Sequence, residues 1–347
     1  MSALSGDTQR YFLQPDSALQ FGVGVQGGCE LMAMAIATHM EEHPYHVDIS
    51  CDARNAFNTW CRTRLWGTLL ERFPSIYALV KLMYGEAADI IFYEDGAGLE
   101  RIFNAVGSRQ GCSLGSFLYC LAIHPYLQQL KMEYPDLTIL AYCDDVHILG
   151  PPSRAIMAYK RWAQIYCTEL QGELRDDKGM AFAPQHTKAD LVDLGMPDDM
   201  QHTNSGTRIL GAPVGREFFW VEYASSIVSE IERDFMVLGR MRNFQAQHII
   251  ACKSLVHRIN HLLRNVPGGE SFFDEVAARY DACVLSVVRR ICSSPLLPDV
   301  ARRIAHLPTG MGGLGLRSWK STADAAFVAA YANAAEVLPA LLPFCGF

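Results

Sequence analysis

Hydrophobic positions along this chain recur with two different periods, and the changes between them mark out strands and helices. Tyr45 to Asp52 alternates, with Val47, Ile49 and Cys51 on one face and Asp48, Ser50 and Asp52 on the other, the spacing of a strand. Leu137-Thr138-Ile139-Leu140 and Val146 to Leu149 flank Tyr142-Cys143-Asp144-Asp145, so the paired carboxylates are predicted at the tip of a hairpin or tight turn. Ile90 to Tyr93 and Ile102-Phe103 read as a second strand pair, with a turn around Glu94 to Gly98. Met180-Ala181-Phe182 reads as a further strand, and Arg208 to Gly215 as a short strand and turn.

Helical spacing covers Cys29 to Glu42, a stretch from just after Asn58 to about Leu70, Ile76 to Tyr84, Phe117 to Ile123 and Ala155 to Leu170. Pro125 is expected to bend or break its helix near the end. At that helix's start Ser108-Arg109-Gln110-Gly111-Cys112-Ser113-Leu114-Gly115 is a polar loop, equally suited to ligand contact through Arg109 and Gln110 or to plain capping by Ser113. From Ser225 onward the chain reads as mostly helical, broken at Pro267-Gly268-Gly269 and Ser294-Pro295. Strands mixed with segregated helices make the fold class α+β.

Composition narrows the class. Half of the 347 residues are hydrophobic, enough for a sizeable core. Apolar runs such as Ala325 to Ala330 are far shorter than a membrane span, and Met1 to Asp16 lacks the basic-then-apolar order of a signal peptide. A soluble intracellular protein with no membrane partner, in the cytoplasm or nucleus, is the expectation. Eleven scattered cysteines without Cys-x-x-Cys or paired Cys/His spacing argue against a disulfide framework and structural zinc. The net charge of −7 is uneven: residues 1–224 carry 17 Lys and Arg against 27 Asp and Glu, while residues 225–347 carry 13 against 10. The second part is thus mildly basic, which suits a phosphate backbone as well as an ordinary surface.

Candidate chemistry concentrates in the acidic part. Adjacent carboxylates raise each other's pKa unless a cation neutralises them, and clustered oxygens suit hard Mg²⁺; an Asp-rich turn is the plainer alternative. Asp52 ends its strand, a good position for a metal ligand and equally for a helix N-cap. Gln20 to Gly28 is glycine-rich and leads into a helix, but it lacks the Lys-Ser/Thr of a P-loop, and a structural turn is expected there.

In order and spacing these pieces resemble the palm of reverse transcriptases, most closely those of non-LTR retrotransposons. The chain has Asp52 followed by Asn55-Ala56-Phe57-Asn58, then Arg109-Gln110-Gly111-Cys112-Ser113-Leu114-Gly115, then Tyr142-Cys143-Asp144-Asp145, then Lys178, then Leu210-Gly211-Ala212-Pro213. The resemblance covers Phe21 to Gly215, with Ser225 to Phe347 more loosely similar to thumb and trailing helices. It implies a right-hand polymerase, its antiparallel palm sheet packed on helices, with partial fingers and a helical thumb. The implied domains are a residual fingers segment at 1–45, palm at 46–218 with a fingers insertion near 60–106, thumb at 219–300 and a C-terminal helical segment at 301–347.

The same resemblance implies an RNA-directed DNA polymerase taking an RNA template, a DNA primer and deoxynucleoside triphosphates. Two Mg²⁺ ions, with Mn²⁺ as substitute, would be held by Asp52 and Asp144 with help from Asp145. Ala53, Phe57, Arg109, Gln110 and Gly111 would form the nucleotide pocket, Phe57 packing under the sugar to exclude a 2′-hydroxyl. Lys178 would assist pyrophosphate departure, and Leu210-Gly211 would form the primer grip. Only Arg10 precedes the glycine-rich loop where the family usually has cationic fingers residues, and no endonuclease, RNase H or zinc-knuckle region is recognisable. The chain therefore reads as part of a longer retroelement protein. A catalytically inactive remnant that binds nucleic acid is the alternative; an RNA-templated RNA polymerase is disfavoured by Phe57 and by Tyr-Cys-Asp-Asp in place of Gly-Asp-Asp.

Overall fold

A computed structural model of the chain describes residues 2–15, 17–94 and 98–342. In chain order the elements of the first part are α1 (Ser2–Phe12), β1 (Leu19–Gln20), α2 (Gly28–Glu42), β2 (Val47–Cys51), α3 (Ala56–Thr59), α4 (Leu65–Arg72), α5 (Pro74–Tyr84), β3 (Ala88–Glu94) and β4 (Gly98–Asn104). They continue as α6 (Gly115–Glu133), β5 (Thr138–Tyr142), β6 (Asp145–Gly150), α7 (Pro152–Leu170), β7 (Met180–Phe182), α8 (Lys188–Asp193) and β8 (Gln201–Thr203). The second part holds β9 (Gly206–Ile209), β10 (Ala212–Gly215), α9 (Glu217–Leu238), α10 (Phe244–Lys253), α11 (Asn260–Asn265), α12 (Asp274–Ile291), α13 (Asp299–His306) and α14 (Trp319–Leu341).

The chain forms two compact units, residues up to 204 rejoined by those from 338, and residues 205–337. The hairpin β9–β10 thus folds with the helices that follow it. In the first unit six strands form one sheet in the order β1-β5-β6-β2-β7-β8. Its four central strands are antiparallel, and β1 and β8 add parallel to the two sides. Helices α2, α6 and α7 pack on this sheet, and Leu121, Tyr159, Trp162 and Tyr166 share one core with Ile49, Ile139 and Ile148.

Sequence and structure part company at three places here. The helix expected to run to about Leu70 is instead broken at Trp60-Cys61, with a 3₁₀ turn at Arg62–Arg64 before α4. Trp60 is wholly buried and extended, so anchoring its indole takes precedence over helical continuity. Pro125 does not break α6, which runs on to Glu133; burial of Leu127 and Leu130 beyond the proline offsets the missing hydrogen bond. Ser113 does not cap that helix: Leu114 holds the cap position with no side-chain bond. The second strand pair forms as β3–β4, in register from Ala88↔Asn104 to Glu94↔Gly98, and the middle of its expected turn, 95–97, lies outside the described residues.

The second unit is built around Phe235, Val256, Tyr280, Val284 and Trp319. Arg279 of α12 binds Glu232, Ser225 and Ser229 along α9 at 2.7–3.2 Å, so one guanidinium joins two helices over two turns. The Trp319 indole donates to the Gly268 carbonyl at 2.7 Å, which fixes the Pro267-Gly268-Gly269 break against the last helix.

Candidate active site

Asp144 occupies the second position of a two-residue turn between β5 and β6, whose register closes at Tyr142↔Asp145. Cys143, the first position, has a φ of 55°, a left-handed conformation that a non-glycine residue adopts only when its surroundings hold it there. Beneath the turn a buried pair crosses from β6 to β2: both carboxylate oxygens of Asp48 lie 2.9–3.0 Å from Nδ1 of His147. Burial by itself would lower the His147 pKa, but the Asp48 charge and hydrogen bond outweigh it and the net shift is upward. Asp48 is therefore the partner of His147 inside the sheet.

Asp52 lies just beyond β2, exposed, and backbone pairing prolongs the strand past it. The Asp52 carbonyl accepts from Arg175 N at 2.8 Å, Arg54 N donates to the Glu173 carbonyl at 2.9 Å, and Ala53 bridges Leu174. The partner loop is fastened by the Tyr159 hydroxyl, which donates to Asp176. Asn55 follows in the left-handed region, φ 51°, which Asn tolerates, and its side chain accepts from Asn58 Nδ2 at 2.6 Å.

The polar loop before α6 is stitched to this turn. Ser108 N donates to the Phe57 carbonyl at 2.6 Å, Gly107 N to the Trp60 carbonyl at 2.9 Å, and the Trp60 indole to Ser108 Oγ at 3.2 Å. A Cβ on Gly107 would lie 2.2 Å from the Asn58 carbonyl carbon, so the close approach and the φ of 64° both require glycine. The stitched loops enclose a cavity of about 430 Å³. Its walls include Ala53 and Phe57 from the first loop, Arg109, Gln110 and Gly111 from the second, and Asp144 from the hairpin. Five expected nucleotide-pocket residues and one expected metal ligand thus meet at one concavity. Asn55, Asn58, Ser108, Cys112 and Ser116 also line it and were not singled out in the sequence; Asn55 and Asn58 flank Phe57 in the motif itself.

Asp52 and Asp145 are each one residue along the chain from a wall residue, and both are exposed. Lys178 is exposed on the loop before β7 and is not part of the wall. Leu210 and Gly211 belong to the second unit, as the two-residue turn of the β9–β10 hairpin.

Electrostatics mark the carboxylates as strained. The Asp144 pKa is raised, first by withdrawal from water and then by the charges of Asp145 and Asp52. That of Asp145 is also raised by desolvation and by Asp52, against the opposing pull of His147. On the cavity's other side Arg109 stacks on the Tyr84 ring, 5.2 Å from its centroid, and its buried Nε has no hydrogen-bond partner among the described residues. Arg62 stacks on the same ring at 5.0 Å, but it is engaged with the Gly107, Asn104 and Val106 carbonyls.

As for a metal, no group of three or more His, Cys, Asp or Glu side chains among the described residues is gathered closely enough to hold an ion. The donor chemistry of Asp52, Asp144 and Asp145 nonetheless fits a hard divalent cation: all donors are carboxylate oxygens, and each lies within the electrostatic reach of another.

A central hairpin carrying paired carboxylates beside a walled cavity, on a sheet backed by helices, is the palm of a right-hand polymerase. The family described as reverse transcriptase (RNA-dependent DNA polymerase) matches residues 5–212, and the chain belongs to it. It is 26% identical over 322 residues to the retrotransposable element SLACS 132 kDa protein of Trypanosoma brucei gambiense, an alignment covering 89% of this chain and 25% of that protein. The chain thus spans about a quarter of the length of that curated relative. Among solved structures it is similar to apo telomerase from Candida tropicalis, at 9% identity and a TM-score of 0.47, covering 99% of this chain and 58% of that one. A telomerase from Candida albicans in complex with a fragment of telomeric RNA gives 11% identity and a TM-score of 0.44, covering 89% of this chain and 49% of that one. No helix among the described residues is long and apolar enough to cross a membrane.

Proposed function

We propose that this chain is the RNA-directed DNA polymerase region of a retrotransposable-element protein, extending a DNA primer on an RNA template by two-metal phosphoryl transfer. The observation that carries the reading is the single cavity to which three separate elements bring Ala53, Phe57, Arg109 to Gly111 and Asp144. A deoxynucleoside triphosphate entering it would meet an apolar ring at Phe57, a cation at Arg109, and a carboxylate at Asp144. Asp52, Asp144 and Asp145 would hold Mg²⁺, which when bound lowers the pKa of the primer 3′-hydroxyl and neutralises charge on the triphosphate and departing pyrophosphate.

The protein's own share is positional. Phe57 limits the space beside the sugar, and the stitched loops keep the base and sugar from wandering, which converts binding into orientation. Arg109 binds phosphate oxygens through its fork of N–H donors. Lys178, exposed on the loop before β7, would assist pyrophosphate departure. Leu210 and Gly211 would touch the primer backbone.

The test is Mg²⁺-dependent extension of a DNA primer on an RNA template by the wild-type chain and by Asp144→Asn, with template binding measured by fluorescence anisotropy. Extension that falls on the order of 10³-fold in the variant, with binding unchanged, is expected. Template binding without extension by either protein would instead make the chain a nucleic-acid-binding remnant.

A further inference from the structure

We infer that Gln20 is a positioning residue for Asp144, setting the direction in which that carboxylate leaves the hairpin. The inference rests on the reading of Asp144 as a catalytic ligand. Gln20 is wholly buried at the end of β1, which pairs parallel to β5 and adds a bond from Phe21 N to the Ala141 carbonyl at 2.7 Å. Its side chain reaches past the end of this pairing into the turn. There Oε1 accepts from Cys143 N at 2.8 Å and Nε2 donates to the Cys143 carbonyl at 3.3 Å. The same Oε1 accepts from Gly22 N at 2.9 Å.

The β5–β6 register ends at Tyr142↔Asp145, so the N–H and C=O of Cys143 lie beyond the ladder. A primary amide carries a donor and an acceptor on one planar group, as a peptide does, and so it can satisfy both. The Cys143 carbonyl belongs to the peptide plane that contains the nitrogen and Cα of Asp144. Holding that oxygen fixes the plane from which the Asp144 side chain departs. It also holds Cys143 in its left-handed conformation, with φ 55°.

A second observation points the same way. A Cβ on Gly22 would lie 2.5 Å from Cys143 N and 2.6 Å from its Sγ, so the loop after β1 is moulded against the turn and leaves no room for a side chain. Gly22, within the glycine-rich stretch Gln20 to Gly28, therefore serves the hairpin. No other single residue reproduces Gln20: Asn is one methylene short, Leu fills the volume without bonds, and Glu lacks the donor and adds a buried negative charge.

The experiment compares the wild-type chain with Gln20→Leu, Gln20→Glu and Gly22→Ala in three measurements. These are single-turnover primer extension per titrated active site across Mg²⁺ concentrations, Mn²⁺ binding by electron paramagnetic resonance without nucleic acid or nucleotide, and hydrogen exchange in peptides spanning 140–146. The expected result is a rate per active site lowered about 10- to 100-fold and weaker Mn²⁺ binding, as for loss of a group that orients a metal ligand. The half-saturating Mg²⁺ concentration should rise and exchange at the turn should quicken, with template affinity near wild type and with losses in rate and ion affinity larger than any fall in the folded fraction. Unchanged rate per site and ion affinity in Gln20→Leu would overturn the inference, as would losses that only track the folded fraction. If Gln20→Leu does not fold, Gly22→Ala, which presses on the turn with Gln20 intact, decides by the same signature. A wild-type chain that folds but extends no primer overturns the polymerase reading, and Gln20 is then judged on Mn²⁺ affinity and exchange alone.

Discussion

The ring of Phe57 rests on that of Tyr119, with centroids 4.8 Å apart and planes inclined at 44°. Tyr119 is buried and its hydroxyl lies 3.1 Å from that of Tyr166, so a side chain that lines the cavity is backed by one locked into the core. A steric filter discriminates only as well as it resists being pushed aside. Phe57→Val is therefore expected to raise ribonucleotide incorporation relative to deoxynucleotide on the order of 10-fold or more, read as the ratio of kcat/KM values on one primer-template. Tyr119→Ala should relax the same ratio less, through loss of support. An unchanged ratio in Phe57→Val would remove the residue from sugar selection.

Arg109 gives the second prediction. Its stacking on Tyr84 orients the guanidinium, and the residue lines the cavity beside Gln110 and Gly111. Arg109→Ala should raise the KM for deoxynucleoside triphosphates about 10-fold while lowering kcat less, since a phosphate contact made equally in ground and transition states acts on binding. Arg109→Lys should recover little, because an ammonium lacks the planar fork. A pure kcat defect would assign Arg109 to the chemical step instead.

The local parts of this architecture were legible before the structure. Short apolar runs on both sides of Cys143-Asp144 read as two strands joined by a tight turn, and the structure pairs them with Ile139 opposite Ile148 and nearly every residue of both strands buried. What local pattern could not show is everything set by distant pairing. Asp48 alternates with apolar residues as an outward-facing acid would, yet it is buried, because both faces of the central strand are covered and His147 from β6 supplies a hydrogen-bond partner. The brace on the hairpin comes from Gln20, 123 residues away, and nothing in its own neighbourhood distinguishes it from a turn residue. The break at Trp60 likewise follows from an indole bond to Ser108 that no helical periodicity encodes. Candidate pocket residues were legible as a motif, but their meeting at one cavity depends on those long-range bonds.

Acid sensitivity is predicted by histidines away from the site. His124 is buried in α6 against Tyr11 and Phe12, and burial lowers its pKa from 6.5 to about 4. His39 of α2 is lowered to about 3 by burial, then by His46 and His43 beside it. Both are neutral in the folded chain and take up a proton more readily when unfolded. Their contribution is therefore complete above pH 6.5 and is lost as pH falls through the window from 6.5 towards 4. The His124 shift corresponds to roughly 3 kcal/mol across that window. Urea melts between pH 7.5 and 4.5 should show stability falling with acid, and His124→Gln should flatten the slope. An equal slope in that variant would show that His124 does not drive it.

The turn of the second hairpin sets stability against function. Register places Leu210 and Gly211 alone between β9 and β10, with φ of 50° and 84°, the paired positive values of a type I′ turn. Glycine is at home there; a leucine is not, and costs roughly 1–2 kcal/mol in that conformation. The turn is held nevertheless, since His261 Nε2 lies 3.0 Å from the Leu210 carbonyl and the Tyr223 hydroxyl donates to the Gly211 carbonyl at 3.0 Å. Two side chains from α9 and α11 thus maintain a strained residue whose side chain is only partly buried, the pattern expected where the side chain is kept for contact. Leu210→Gly should therefore stabilise the chain by about 1 kcal/mol in urea melts, through loss of the strain minus the added unfolded-state entropy. The same variant should shorten the products made per primer-binding event in a trap assay, if Leu210 touches the primer. Greater stability with unaltered product length would show the leucine to be strain without a use in extension, and reduced stability would show that its packing outweighs its backbone cost.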